Sequence, residues 1–275
     1  FNDQRVFSNY GAILQGLNKL EDAAKYYRKA IELNPNYVDA NSNLGNVLRE
    51  LGNLEEAEKY TRKAIELNPK FANAYSNLGN ILKDQGKTKQ AEIYYRKAIE
   101  LNPNLSQAHC NLGDILKETG KLKQAEISTQ KAIDLNPNFA EAHCNLGTIL
   151  RDSGKSKEAE LSFQKAIDLN PNFANAYANL GSLLLAFGKF QEAEITTRKA
   201  LQIKPDLPEV NYNLGIILRD LGKFKEAEKY YSRAISLRPN NTIFKMNRSK
   251  LYFDSGQLEL ALQDSDSLNS KESRA

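Results

Sequence analysis

An asparagine recurs once in every 34 residues along almost the whole chain. The members of this asparagine row are Asn9, Asn43, Asn77, Asn111, Asn145, Asn179, Asn213 and Asn247. A carboxamide offers one acceptor and two donors, which matches the C=O and N–H of a peptide bond. Equivalent side chains on stacked helices would lie about 10 Å apart, so an extended chain could meet one about every three residues. The row therefore predicts a ladder that binds the backbone of an extended polypeptide with little regard to its sequence.

The asparagine row is also compatible with two roles that involve no ligand. Each amide could bond a neighbouring helix of its own protein, or it could be a copy retained from duplication of a repeat. Duplication alone does not account for the free variation of the residues one before and three after each asparagine. Convergent polar groups on a surface favour binding.

Two charged rows accompany the asparagines. The basic row consists of Arg49, Lys83, Lys117, Arg151 and Arg219, and the acidic row follows it at Glu50, Asp84, Glu118, Asp152 and Asp220. These rows predict either a role in ligand choice or a charge-balanced, solvated face.

An apolar segment interrupts both charged rows, where Leu185 and Ala186 replace the charged pair. With Ala178, Tyr212 and Ile216, Leu185 predicts an apolar window rimmed by charge. Such a window is a candidate anchor pocket for a ligand side chain.

The pairs His109-Cys110 and His143-Cys144 have the residue types of a zinc site. They occupy the same positions of adjacent repeats, so equivalent atoms should lie about 10 Å apart. One zinc ion needs all its ligands within about 2.3 Å, and a disulfide needs Cα atoms within about 7 Å. We therefore predict no metal, no cofactor and no disulfide. Two histidines on separate helices also assemble no acid–base or nucleophilic constellation, so we predict no catalytic residue and no enzyme.

The helices that must carry these residues follow from the same period. We number each repeat so that the glycine of the recurring Asn-Leu-Gly triplet is position 8, which puts the asparagine at position 6. Apolar residues at positions 3, 7, 10 and 11 predict a first helix, helix A. A glycine or asparagine at position 15 predicts a left-handed cap, and alanines at positions 20 and 27 lie on a second helix, helix B. Asn-Pro closes most repeats, as at Pro103.

The fold predicted is an all-α, right-handed superhelical solenoid of 34-residue helix-turn-helix repeats. The predicted units are 4–37, 38–71, 72–105, 106–139, 140–173, 174–207 and 208–241, then a degenerate repeat or polar cap at 242–268 and a disordered tail at 269–275. Glycine at position 8 costs helix A about 1 kcal/mol relative to alanine. Close approach of helix B would offset that cost. A helical wheel places positions 2, 5, 6, 9, 12 and 13 in one exposed strip.

The pattern of small and large residues resembles the tetratricopeptide repeat family over residues 4–268. In the third repeat it is carried by Leu78, Gly79, Leu82, Gly86, Ala91, Ala98 and Pro103. The resemblance implies that the exposed strip lines a concave groove. The asparagine row is also similar to the repeats of O-linked N-acetylglucosamine transferases, which implies a substrate-recruiting arm.

Composition limits the remaining alternatives. The net charge is +4, from 38 basic and 34 acidic residues, which is too even to favour nucleic acid or a membrane surface. No apolar run reaches the roughly 18–20 residues of a membrane span, and two cysteines fit a reducing, cytoplasmic compartment. The chain is expected to be part of a longer protein, and self-association stays possible. The prediction is a protein-interaction scaffold, with a transferase arm and a helical-repeat RNA binder as alternatives.

Overall fold

A computed structural model describes residues 3–272, and over that range the chain consists of helices joined by short turns, without a strand. Odd-numbered helices are helix A of each repeat: α1 Gln4–Gly16, α3 Val38–Glu50, α5 Ala72–Asp84, α7 Ser106–Glu118, α9 Ala140–Asp152, α11 Ala174–Ala186, α13 Pro208–Asp220 and α15 Thr242–Asp254. Even-numbered helices are helix B: α2 Leu20–Leu33, α4 Leu54–Leu67, α6 Thr88–Leu101, α8 Leu122–Leu135, α10 Ser156–Leu169, α12 Phe190–Ile203, α14 Phe224–Leu237 and α16 Leu258–Glu272. The predicted class, an all-α repeat solenoid, is confirmed.

Two compact units divide the chain, residues 1–145 and residues 146–275. The first contains α1 to α8 and the beginning of α9, and the second continues from within α9. Within each unit, helix A packs against helix B of its own repeat, and helix B packs against the next helix A. One core cluster runs through three repeats, from Leu14 through Leu44 to Ile81, as expected of a repeat array whose units bury their core against neighbours.

The turn between helix A and helix B has the predicted left-handed residue at position 15. Gly86 has φ +75°, and Asn18 takes the same role with φ +57°. The Gly86 N–H donates to the Lys83 carbonyl, and the Lys87 N–H donates to the Leu82 carbonyl, both at 2.8 Å. These bonds satisfy carbonyls that a helix end otherwise leaves unpaired.

Small residues hold the two helices of a repeat close together. The position-20 and position-27 alanines of the first seven repeats are fully buried, as in Ala91 and Ala98. A Cβ added to Gly79 would lie 2.6 Å from Cε1 of Tyr95 on α6. The close approach that we predicted at position 8 is therefore present, and its partner is the residue at position 24 of helix B.

The residue at position 24 alternates along the chain. Odd repeats carry a ring and even repeats a threonine: Tyr27, Thr61, Tyr95, Thr129, Phe163, Thr197 and Tyr231. All seven side chains are buried. The hydroxyls of the three threonines, and that of Tyr231, have no hydrogen-bond partner among the residues described. By contrast, Phe163 has no hydroxyl to satisfy, and Tyr95 Oη donates to Asn80 Oδ1 at 2.8 Å.

The eighth repeat departs from the others in its core. Arg248 stands at position 7, where other repeats have an apolar residue, and it pairs with Asp264 at 2.7 Å. Large apolar side chains at Met246, Phe253 and Leu262 are exposed here, so this face is more apolar than the polar cap that we predicted. Helix α16 continues through position 269, where the predicted tail begins, as far as Glu272, and residues 273–275 lie outside the described part.

Candidate functional site

Helix A places the asparagine row at the edge between surface and core. Asn9 is exposed, and the other seven are half-buried. In the first unit, three amides of the row bond the preceding repeat. Asn77 Nδ2 donates to Ser42 Oγ at 3.1 Å, Asn145 Nδ2 donates to Cys110 Sγ at 3.3 Å, and Asn111 Nδ2 donates to Asn80 Oδ1 at 2.8 Å. Each of these three asparagines therefore uses one amide N–H to bond a neighbouring helix.

The amide groups of the row are not all engaged in the same way. Asn247 Nδ2 donates to the Ile243 carbonyl at 3.0 Å, within its own helix. Asn43, on α3, makes no hydrogen bond through its side chain to any residue in 3–272, and the Asn77 oxygen likewise accepts none. An acceptor at the helix-A surface is thus present in the first unit, which is what an incoming backbone N–H requires.

Position 5 was wrongly placed in the exposed strip. Its residues in the first five repeats are buried: Ser8, Ser42, Ser76, Cys110 and Cys144. The helical wheel treats one helix alone, whereas at Ser42 and Cys110 the asparagine of the next repeat bonds the position-5 side chain. Burial, followed by the charge of Glu141, raises the pKa of the Cys110 thiol to about 12.

In the first unit, two members of the basic row pair with carboxylates of the next repeat, whereas Lys117 pairs with Asp114 of its own repeat at 3.3 Å. Arg49 Nη1 lies 3.1 Å from Asp84 Oδ2, and Lys83 Nζ contacts Asp114 and lies 3.7 Å from Glu118. Burial alone would raise the pKa of Asp114, but the hydrogen bonds and charges of Lys83 and Lys117 outweigh it and lower that pKa. In the second unit the pairs are local, since Arg151 bonds Asp152 at 3.0 Å and Arg219 bonds Asp220 at 2.8 Å.

In the predicted apolar window, Leu185, Tyr212 and Ile216 are all half-buried, and all lie in the second unit. Tyr212 stacks on Phe244 with ring centroids 4.7 Å apart, and it lies 5.8 Å from the Tyr231 ring. Tyr212 and Ile216 pack on one core cluster that contains Leu214 and Leu218. Leu185 lies at the end of α11, two helices earlier. Of the predicted window, the Tyr212 ring is thus packed against other aromatic rings, and Leu185 is partly exposed.

In the second to fifth repeats and in the seventh, the side chain at position 4 of helix A hydrogen-bonds the carbonyl of the proline that ends the preceding repeat. His109 Nε2 lies 3.0 Å from the Pro103 carbonyl, and His143 Nε2 lies 3.0 Å from that of Pro137. Asn211 Nδ2 donates to the Pro205 carbonyl at the same distance. Position 4 thus ties helix A to the closing proline. The predicted site did not include this contact, although side chains that can hydrogen-bond recur at a fixed distance after proline.

None of the helices described between residues 3 and 272 has both the length and the apolar character needed to cross a bilayer.

Comparison with known protein families identifies the repeats. A model described as tetratricopeptide repeat matches residues 5–37, 72–105, 140–173 and 208–241. A second model of that description matches 26–59, 94–127 and 162–195, and a model described as TPR repeat matches 45–86. A comparison with curated proteins found no match.

Several solved structures are similar to the chain. The APC/C hetero-tetramer Cut9–Hcn1 is 18% identical with a TM-score of 0.76, over 93% of this chain and 50% of that one. Pseudomonas aeruginosa pilF is 23% identical with a TM-score of 0.67, over 72% of this chain and 90% of that one. These two show the fold alone, and the chain spans half the length of the first.

A third structure is YrrB, a TPR protein described as having an unusual peptide-binding site. It is 30% identical with a TM-score of 0.50, over 66% of this chain and 94% of that one. None of the three relatives named is described as an O-linked N-acetylglucosamine transferase.

Proposed function

The chain belongs to the tetratricopeptide repeat family, and we propose that it is a non-catalytic scaffold whose helix-A surface binds an extended polypeptide through the asparagine row. The observation that carries this proposal is the state of Asn77. Its amide N–H is held by Ser42 of the preceding repeat, while its oxygen accepts no bond from the residues described. The side chain is therefore already oriented, and binding a backbone N–H would cost little further conformational entropy.

The charged side chains beside the asparagine row are also consistent with a ligand that is recognised through its peptide backbone. The basic side chains are paired with carboxylates, so they offer no unbalanced positive surface to a nucleic acid. An RNA-binding role would make affinity fall steeply with salt, whereas hydrogen bonds to a peptide backbone would not. A protein ligand in a cytoplasmic setting remains our prediction. A transferase arm would use the same surface to hold an acceptor polypeptide.

The decisive experiment compares two asparagines on the same helix. Asn77 and Asn73 both lie on α5, but Asn73 is exposed at position 2, outside the row. We expect Asn77→Ala to weaken binding of a disordered peptide by about 1 kcal/mol, roughly fivefold, because one hydrogen bond is lost. Asn73→Ala should leave affinity unchanged. Fluorescence anisotropy with a labelled peptide and with its scrambled sequence measures both.

N-methylation of the peptide backbone separates ligand contact from a structural role. Removing a peptide N–H should weaken binding to the wild-type chain but should add nothing once Asn77 is alanine, since the two changes remove the same bond. Equal affinity of Asn77→Ala and Asn73→Ala, or equal loss on methylation in both backgrounds, would contradict the ladder.

A further inference from the structure

Aromatic side chains fill the groove beside helix B in the third repeat. The rings of Tyr75 at position 4 and Tyr94 at position 23 lie 6.2 Å apart. The Tyr94 hydroxyl also accepts a hydrogen bond from Arg62 Nη1 at 3.1 Å, which links it to the preceding helix B. The first repeat has a similar pair, Phe7 and Tyr26, with centroids 6.2 Å apart. In these two repeats, a pair of aromatic rings therefore covers the side of helix A that faces the groove.

The fourth repeat lacks both rings. His109 and Ser128 stand at the two positions, and Ser128 Oγ donates to the His109 carbonyl at 3.0 Å. An open groove of about 1260 Å³ lies there between α6 and α8. Its floor includes Leu112 and Leu116 of α7. We call it the fourth-repeat groove.

The walls of the fourth-repeat groove are apolar, and it is large. Ile99 of α6 lines one side, and Ile127 of α8, with 71% of its surface exposed, lines the other. Small-molecule sites usually enclose about 300–1000 Å³. A groove of this size, open to solvent between two helices, fits a segment of a protein better than a metabolite.

The charges on the rim are unevenly engaged. Arg96 is paired with Glu92 at 2.9 Å, Glu100 with Lys97 at 2.6 Å, and Asp134 accepts from Gln130 at 2.9 Å. Glu126 also has an interaction of its own. By contrast, Lys123 and Lys131, which both line the groove, have no carboxylate within 4.0 Å among the residues described. The rim therefore offers a ligand two cations against one carboxylate, Asp134, whose hydrogen-bond partner is a neutral amide.

We propose that the fourth-repeat groove is a second binding site, which takes an acidic amphipathic helix of a partner protein. An aromatic or large aliphatic side chain of that helix takes the space that Tyr94 fills in the third repeat. Lys123 and Lys131 are eight residues apart on α8, which corresponds to about 12 Å or two helical turns. A helix lying along α8 presents carboxylates two turns apart at the same spacing, and packing in an apolar groove is an established way to bind a helix.

The chain itself supplies the most direct variant. Ser128→Tyr restores the residue that the third repeat has, so it should fill the fourth-repeat groove without disturbing the fold. The probe is a fluorescein-labelled, 18-residue synthetic helix with phenylalanine and leucine four residues apart and two glutamates eight residues apart. We expect saturable one-to-one binding to the wild-type chain, measured by anisotropy, and a loss of about tenfold or more in Ser128→Tyr, because the anchor side chain is no longer buried. Ser236→Tyr, the same change at an exposed position of α14, is the matched control and should bind the probe as wild type does.

A charge exchange tests the rim independently of folding, because both lysines are exposed. Lys123→Glu with Lys131→Glu should weaken the probe, and a second probe with lysines in place of its two glutamates should restore the affinity. The Ser128→Tyr chain should still bind the disordered peptide that tests the asparagine row, so failure of one site is distinguishable from failure of the other. The proposal is overturned if the wild-type chain does not bind the acidic probe, if Ser128→Tyr binds it equally, or if both probes bind the wild-type chain alike.

Discussion

Replacing Gly79 with alanine tests how closely helix A and helix B approach in a repeat. The added Cβ would lie 2.6 Å from Cε1 and 2.7 Å from Cδ1 of Tyr95. Ordinary carbon contacts are about 3.5–4.0 Å, so the ring must move by about 1 Å. Tyr95 is fully buried and its hydroxyl is bonded to Asn80, so the ring has no free space to enter.

Two opposing effects set the size of the change. Alanine favours a helix interior by about 1 kcal/mol over glycine, while overpacking a core costs about 1–3 kcal/mol. Displacing the Tyr95 hydroxyl adds about 1 kcal/mol for the weakened hydrogen bond. If overpacking costs the middle to upper part of its range, the two costs exceed the gain from alanine, and the free energy of unfolding falls by about 2 kcal/mol.

Gly16→Ala is the matched control, because an added Cβ at this exposed helical position meets nothing within 4 Å. It should stabilise the chain by about 0.5–1 kcal/mol. Equilibrium urea unfolding compares the two variants, and hydrogen exchange in α5 and α6 localises the effect, since repeat arrays need not unfold in one step. If Gly79→Ala raised stability as Gly16→Ala does, the close-approach argument would be refuted.

Two further predictions concern the charged rows and the apolar window. Asp114→Asn should destabilise the chain by about 1 kcal/mol at neutral pH, because the folded carboxylate is stabilised by Lys83 and Lys117. The pKa of Asp114 is lowered in the folded chain, so this stabilisation is complete above the ordinary value of 3.8 and is lost as pH falls through the folded pKa. The urea midpoints of the wild-type chain and of Asp114→Asn should therefore converge at low pH, and midpoints that still differ at the lowest pH would contradict the prediction. Leu185→Asp should weaken polypeptide binding by about tenfold, since a charge would enter the apolar window, while Gln191→Asp on the exposed side of α12 should not. Unchanged affinity in calorimetric titrations would remove the window from the binding surface.

Period and residue size were enough to predict the repeated helices. Glycine at position 15 predicted a left-handed backbone, because glycine adopts positive φ without steric cost, and Gly86 has it. Glycine at position 8 implied a close neighbour, which is present at Gly79. The identity of that neighbour, Tyr95, could not be read from the sequence, because the contact joins two helices whose relative rotation depends on the whole repeat.

The candidate site was less predictable than the helices. Cys110 was placed on the surface by a helical wheel, but the next repeat covers it through Asn145. Likewise, Arg49 and Asp84 lie on different helices, and nothing in the spacing of one repeat shows that they pair across the boundary. Properties of one helix follow from its own residues, whereas properties of the surface depend on contacts between repeats.

The alternation of rings and threonines at position 24 has a consequence for how the array opens. An unpaired buried hydroxyl costs about 1–3 kcal/mol, and Thr61, Thr129 and Thr197 each carry one. The second, fourth and sixth repeats therefore each carry a cost between helix A and helix B that the third and fifth repeats do not, and the seventh repeat shares it through the hydroxyl of Tyr231. A polypeptide that lies across one of these repeats and its neighbour would oppose local opening of the two helices there.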